Sequence, residues 1–169
     1  MDATELRALQ APLKERYRED PNAGLVTFAA RATLDDERIA CRVDAKTGPV
    51  LAGLHPAAGG TGAEVCSGDL LMEALVACAG VTLKAVATAM QIPLRAGTVR
   101  VEGDVDFRGT LGVDKTAPVG FHAVRLVIEL DTDAPQEKLD KLVQLTERYC
   151  IVFQTLAGQP QLSTKVIRV

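Results

Sequence analysis

From Ser67 to Gln91 the chain reads SGDLLMEALVACAGVTLKAVATAMQ, and no other stretch restricts the fold as much. At about 100° per residue, Glu73, Ala77, Gly80, Lys84, Thr88 and Gln91 fall on one narrow stripe; the rest of the circumference is Leu, Met, Val, Ala, Cys and Thr82. A helix that is apolar on most sides has to be covered on most sides. Ser67 is expected as its N-cap with Asp69 in the first turn, because exposed amides want an acceptor there and the helix dipole favours negative charge. Gln91-Ile92-Pro93 closes it, since proline cannot continue the hydrogen-bond ladder and restricts the residue before it. The helix approaches bilayer thickness, but Glu73 and Lys84 lie inside it and the flanking chain alternates like soluble strands. The expectation is a buried core helix and no membrane. Cys78 lies opposite the polar stripe, in line with Leu71, Thr82, Ala85 and Ala89, whose mostly small side chains leave room for another layer, a cavity or a partner chain.

A chain of 169 residues suits one domain with a substantial core, and 47% hydrophobic against 24% charged residues argues for a folded soluble protein. Aromatic residues make up 4% and the net charge is −3, so neither stacking platforms nor a basic footprint points to nucleic acid. The start, MDATELRALQ, has no apolar signal core, which gives the cytoplasm as the expected compartment. There, Cys41, Cys66, Cys78 and Cys150 are expected as free or redox-active thiols rather than permanent staples. Their spacings fit no zinc pattern, and His55 and His122 stand apart. The Gly-rich loop LHPAAGGTGAEV contains neither GxxxxGK[ST] nor GxGxxG, so no phosphate cradle is expected. Neither a metal nor a cofactor is called for.

Around the long helix, residues Thr4 to Glu19 are amphipathic at helical spacing through Leu6, Leu9, Leu13 and Tyr17, and Asp20 to Gly24 break them. Residues 1–23 are thus read as an N-terminal helical extension and 24–169 as the main domain. Gly24 to Thr33, Glu37 to Asp44 and Pro49 to Leu54 are predicted as an antiparallel meander. Gly97 to Gly109 and Phe121 to Asp131 pair as a second hairpin, with a bulge near Gly103 and an exposed loop from Thr110 to Gly120. Asp133 is expected to cap a helix running to Tyr149, which Cys150 ends, and Gln161 to Val169 read as a closing strand after Pro160. This order predicts an α+β fold, mainly antiparallel sheet packed on the central helix.

Two thiols stand out, Cys78 within GGTGAEVCSGDLLMEALVACAGVTLKAVA and Cys150 within ERYCIVFQTL. Both segments, in this order, resemble the cysteine signatures of the OsmC/Ohr family, the osmotically inducible protein C and organic hydroperoxide resistance proteins. The resemblance implies an intertwined homodimer with active sites at the subunit interface. It also implies a thiol peroxidase: one cysteine attacks an organic hydroperoxide and becomes a sulfenic acid, the second condenses with it to a disulfide, and a dithiol or lipoyl-type reductant restores both. By position Cys78 takes the attacking role and Cys150 the resolving one.

Only thiolate attacks, and an ordinary thiol with a pKa near 8.5 is a few per cent ionised at neutral pH. Cys78 lies about three turns into its helix, beyond the reach of the N-terminal dipole. Arg31, Arg38 and Arg42 on the early strands are therefore the candidates to stabilise its anion. Cys150, at a helix C-terminus, meets the negative end of a dipole, which suits a resolving thiol. Three positions depart from the reductase pattern: Ser67-Gly68 stand where family reductases carry Pro-Glu, the turn Leu34-Asp35-Asp36 lacks the Arg that pairs with that Glu, and Ile151 replaces a Pro. These departures place the chain closer to the less characterised OsmC-like branch and define an alternative, a redox-sensing or small-ligand-binding protein without efficient turnover. Cys41 and Cys66 match no functional position.

Overall fold

The computed structural model describes residues 1–168. Helix α1 spans Ala3–Glu19. The Asp2 carboxylate accepts from the amides of Thr4 and Glu5, and the Glu5 carboxylate accepts from the Asp2 amide, so the first orphan donors are satisfied reciprocally. Asp20 then caps a short 3-10 turn at Pro21–Gly24.

The first expected strand forms only at its end. Ladder pairing is confined to β1 (Ala32–Leu34); residues 25–31 carry no sheet pairing, and Leu25, Val26 and Phe28 are exposed at 78%, 68% and 80%. Strand propensity needs a neighbouring edge to become a strand, and the described residues of this chain offer none there. The meander continues through β2 (Ala40–Val43) and β3 (Val50–Gly53), both antiparallel as expected. A two-residue strand, β4 (Val65–Cys66), adds a parallel edge that the sequence did not signal. The loop before it folds tightly enough that a Cβ on Gly60 would meet the Leu54 carbonyl oxygen at 1.7 Å.

Helix α2 covers Ser67–Ala89, and its N-cap is Cys66 rather than Ser67: the Cys66 sulfur accepts from the Gly68 amide at 3.4 Å. Its other end comes two residues before Gln91, which turns the chain with φ 55°. Although long and apolar enough to cross a bilayer, α2 packs on β5 (Ala96–Val105), on α1, on α4 (Gln136–Tyr149) and on α5 (Ile151–Ala157). Within one chain only the line Leu75, Ala79, Leu83, Ala87 is fully buried, and Val81 is 73% exposed, so the covering expected on most sides is complete along one line and partial elsewhere.

Strand β5 pairs antiparallel with β6 (Phe121–Asp131), Val99 opposite Ile128 and Val101 opposite Leu126, with the register shift at Asp104/Val105. Their connection is not a free loop: a helical turn, α3 (Phe107–Thr110), is capped by Asp106, and Phe107 stacks on His55 with ring centroids 5.0 Å apart. Helix α4 starts at Gln136 with Pro135 in the N-cap position and no side-chain cap; the expected cap, Asp133, lies two residues earlier and pairs with Arg95. The segment 158–168 forms no strand in this chain, and Leu162, Val166 and Ile167 stay exposed; Val169 lies outside the described residues. One core gathers Leu83, Ala87, Ile92 and Leu142 at the end of α2, and a second gathers Leu75, Ala79 and Cys150 at its middle.

Candidate dithiol site

Helix α4 ends where Cys150 adopts an extended backbone, φ −75° and ψ 107°, and α5 starts at the next residue. The single residue serves both helices. Its amide donates to the Thr146 carbonyl at 2.9 Å as a C-cap, and its sulfur accepts from the Phe153 amide at 3.5 Å as an N-cap. The break signals predict the helix end at Cys150 but not a second helix after it. The apolar run Ile151-Val152-Phe153 makes the break worthwhile, since Val152 and Phe153 pack on the core at the middle of α2.

This joint brings the two expected thiols together. Cys150 is 1% exposed against Leu75 and Ala79, and half-buried Cys78 packs on the same cluster. Burial pushes the Cys78 thiol up, but the amides of Val152 and Ile151, the Cys150 thiol and the Thr82 hydroxyl all favour its anion, and the net shift is downward. Cys150 moves the other way: burial pushes it up and the neighbouring Cys78 adds to this, against the Phe153 amide. The result is an asymmetric pair in which Cys78 ionises first with Cys150 as a proton donor beside it.

The sources of this asymmetry differ from those expected. The donors that favour Cys78 thiolate are α5 amides, the neighbouring thiol and a hydroxyl, and Arg31, Arg38 and Arg42 are not among the leading groups. Arg38 instead reaches Asp35 at 2.7 Å and Glu64 at 3.5 Å, tying the β1–β2 turn to the residues just before α2. A guanidinium is thus present beside the turn Leu34-Asp35-Asp36 after all. For Cys150 the dipole argument fails, because the residue sits between the C-terminus of α4 and the N-terminus of α5, whose effects oppose; burial sets its direction. Thr82 is signalled by its spacing of four from Cys78, but the amides of residues 151 and 152 have no signal in the sequence. Cys66 is a helix cap, and Cys41 pairs opposite Ala52 in the meander. A cavity of about 320 Å³ lined by Leu75, Phe121, His122, Leu126 and Phe153 adjoins the same core cluster, and neither sulfur is part of its lining.

The fold and this pair define a mixed α+β protein carrying two free thiols at a helix joint. Residues 60–165 match the family model described as OsmC-like protein, and the chain belongs to that family. Solved structures agree on the fold. An OsmC-like protein from Mycoplasma pneumoniae superposes with a TM-score of 0.64 at 16% identity, covering 79% of this chain and 89% of that one. An organic hydroperoxide resistance protein from Elizabethkingia anophelis gives 0.64 at 17% identity over 80% and 91%. The organic hydroperoxide resistance protein OhrB of Bacillus subtilis gives 0.55 at 23% identity over 78% and 93%. No curated protein matches the chain in sequence.

Proposed function

We propose that the protein is a thiol-dependent peroxidase that reduces organic hydroperoxides through Cys78 and Cys150. The observation that carries this reading is that Cys78 and Cys150, far apart in sequence, are free thiols packed on one core cluster, with Cys78 favoured as the anion and Cys150 as the protonated form. The Cys78 thiolate attacks the terminal peroxide oxygen, the O–O bond breaks, and the alkoxide takes a proton to leave as the alcohol. Cys78 is then a sulfenic acid. The Cys150 sulfur attacks it, water leaves with the Cys150 proton, and a Cys78–Cys150 disulfide remains, two electrons having passed to the peroxide. An external dithiol, of which a dihydrolipoyl group is the model, returns both thiols by exchange.

The working form in this reading is a cytoplasmic homodimer. It is supported by the bare side of α2 around Val81 and by the apolar segments 25–28 and 162–167, which have sheet-forming residues and no partner edge among the described residues. The names of the Elizabethkingia and Bacillus proteins support the substrate class. Peroxide consumption with dihydrolipoamide, compared between wild type and Cys78→Ser, tests the reading; equal rates reject it. A second reading, a sensor without efficient turnover, is favoured by the engagement of Arg38 with two carboxylates. A disulfide in the mass spectrum after one equivalent of hydroperoxide, without steady-state consumption, identifies that case.

A further inference from the structure

His55 stands at the start of the Gly-rich loop that leads into α2, and three amides of that loop converge on it. Its carbonyl accepts from the amides of Ala58 and Gly60 at 2.8 and 3.1 Å, and its Nδ1 accepts from the amide of Ala57 at 3.0 Å, which caps the 3-10 turn at Pro56–Ala58. Beyond the turn, Glu64 accepts from the Thr61 hydroxyl and holds Arg38, and Cys66 caps α2. The turn also packs on α3, where the half-buried His55 ring lies over Phe107 at an interplanar angle of 21°. The four-stranded sheet and the β5–β6 hairpin are separate sheets, so this stack ties together two parts that strand pairing leaves apart.

A backbone amide only donates, so Nδ1 offers its lone pair to Ala57 and the proton of the neutral ring sits on Nε2. Protonation puts a second N–H on Nδ1, facing the Ala57 N–H: a hydrogen bond is lost and two donors point at each other. The face of Phe107 attracts a cationic ring, so the stack keeps the charged imidazolium in place and the conflict falls on the backbone of the turn. Neighbouring charges are already committed. On the α3 side, Asp106 is bound to Arg108, which also reaches Asp114 at 3.5 Å; on the loop, Glu64 is bound to Arg38. The Asp106 carboxyl is held down to about 2, first by the Arg108 side chain, and that of Asp114 is held low, first by the Thr116 hydroxyl. Neither changes charge between about pH 7.5 and about pH 5.5, the range in which histidine side chains ordinarily do. His122 on β6, whose charge is felt at Asp106, is the other histidine of the chain and the natural control.

We propose that His55 is an acid-opened latch: its neutral ring, held on Phe107, closes the turn before α2, and its protonation opens that turn and loosens the chain through Glu64 to Cys66. The latch is independent of the peroxidase reading.

The test is hydrogen exchange by mass spectrometry on the full-length reduced protein at about pH 7.5 and about pH 5.5, each rate divided by that of an unstructured peptide of the same sequence at the same pH. In wild type, residues 56–66 should exchange about fivefold faster at the lower pH, the factor that one net hydrogen bond carries, while residues 107–112 stay unchanged because the ring remains on Phe107. Asn at position 55 offers an acceptor to the amide two residues on and does not titrate in this range, so corrected rates in His55→Asn should be equal at both pH values. His122→Asn should respond as wild type does. Equal corrected rates in wild type at both pH values overturn the proposal, and that comparison stands without any variant. A pH response of residues 56–66 that survives in His55→Asn, or vanishes in His122→Asn, also overturns it. So does a response of residues 107–112 as large as that of the loop, which would mean that the ring leaves Phe107.

Discussion

Oxidation by one equivalent of an organic hydroperoxide should stabilise the protein against denaturant, and the size of the effect follows from where the two thiols lie in the chain. A bond between Cys78 and Cys150 closes a loop of roughly 70 residues, which removes about 4 kcal/mol of loop entropy from the unfolded chain at 25 °C. The two sulfurs are already packed on one core cluster, so the native state needs little rearrangement to accept the bond. Any strain in the closed form subtracts from that figure, which makes it a ceiling. With a urea slope of about 2 kcal/mol per molar for a chain of this size, the midpoint should rise by roughly 1–2 M. The measurement is urea unfolding of reduced and peroxide-treated protein by circular dichroism, with Cys78→Ser and Cys150→Ser treated in parallel. Both variants should show no rise. A midpoint that does not move in wild type, or moves as far in either variant, would mean that peroxide does not join these two residues.

Iodoacetamide at neutral pH should alkylate Cys78 well before Cys150, because Cys78 is displaced toward its anion while Cys150 is buried and displaced away from it. Its rate should rise with pH to a midpoint below that of an ordinary cysteine; peptide mapping across a pH series reads both, and equal labelling of the two would refute the asymmetry. Leu142→Ala, at a fully buried side chain between α2 and α4, should cost about 3 kcal/mol and lower Tm by roughly 6–12 °C in a thermal scan. The Asp35 and Asp106 carboxyls are held down to about 2, first by the side-chain bonds of Arg38 and Arg108. Their contribution to folding is therefore present above the unfolded value near 3.9 and fades as pH falls toward 2; carboxyl resonances of both should still be those of the anion at about pH 3.

The legible parts of the fold are those set by neighbours close in sequence. The extent of α2, the pairing of Gly97–Gly109 with Phe121–Asp131 and the amphipathic α1 all follow from periodicity and break signals, within a residue or a few of the observed ends. Caps are less legible. Ser67 and Asp133 have the residue types that a cap prefers, but α2 already starts at Ser67 with Cys66 holding the Gly68 amide, and α4 starts two residues later than a cap at Asp133 would place it. Strands at 24–33 and 161–169 carry the right composition without an edge to pair with among the described residues, so composition alone overstates them.

The amino-acid order by itself determined the long apolar helix, the α+β class and the presence of two cysteines in apolar surroundings, because helical periodicity and hydrophobic burial act through local spacing. Tertiary structure alone decided that Cys150 ends one helix and starts another, and that Cys78 packs on the same core cluster as Cys150. A thiol's ionisation depends on the dipoles and dielectric within a few ångströms of its sulfur. For Cys78 most of those belong to residues roughly seventy positions further along the chain.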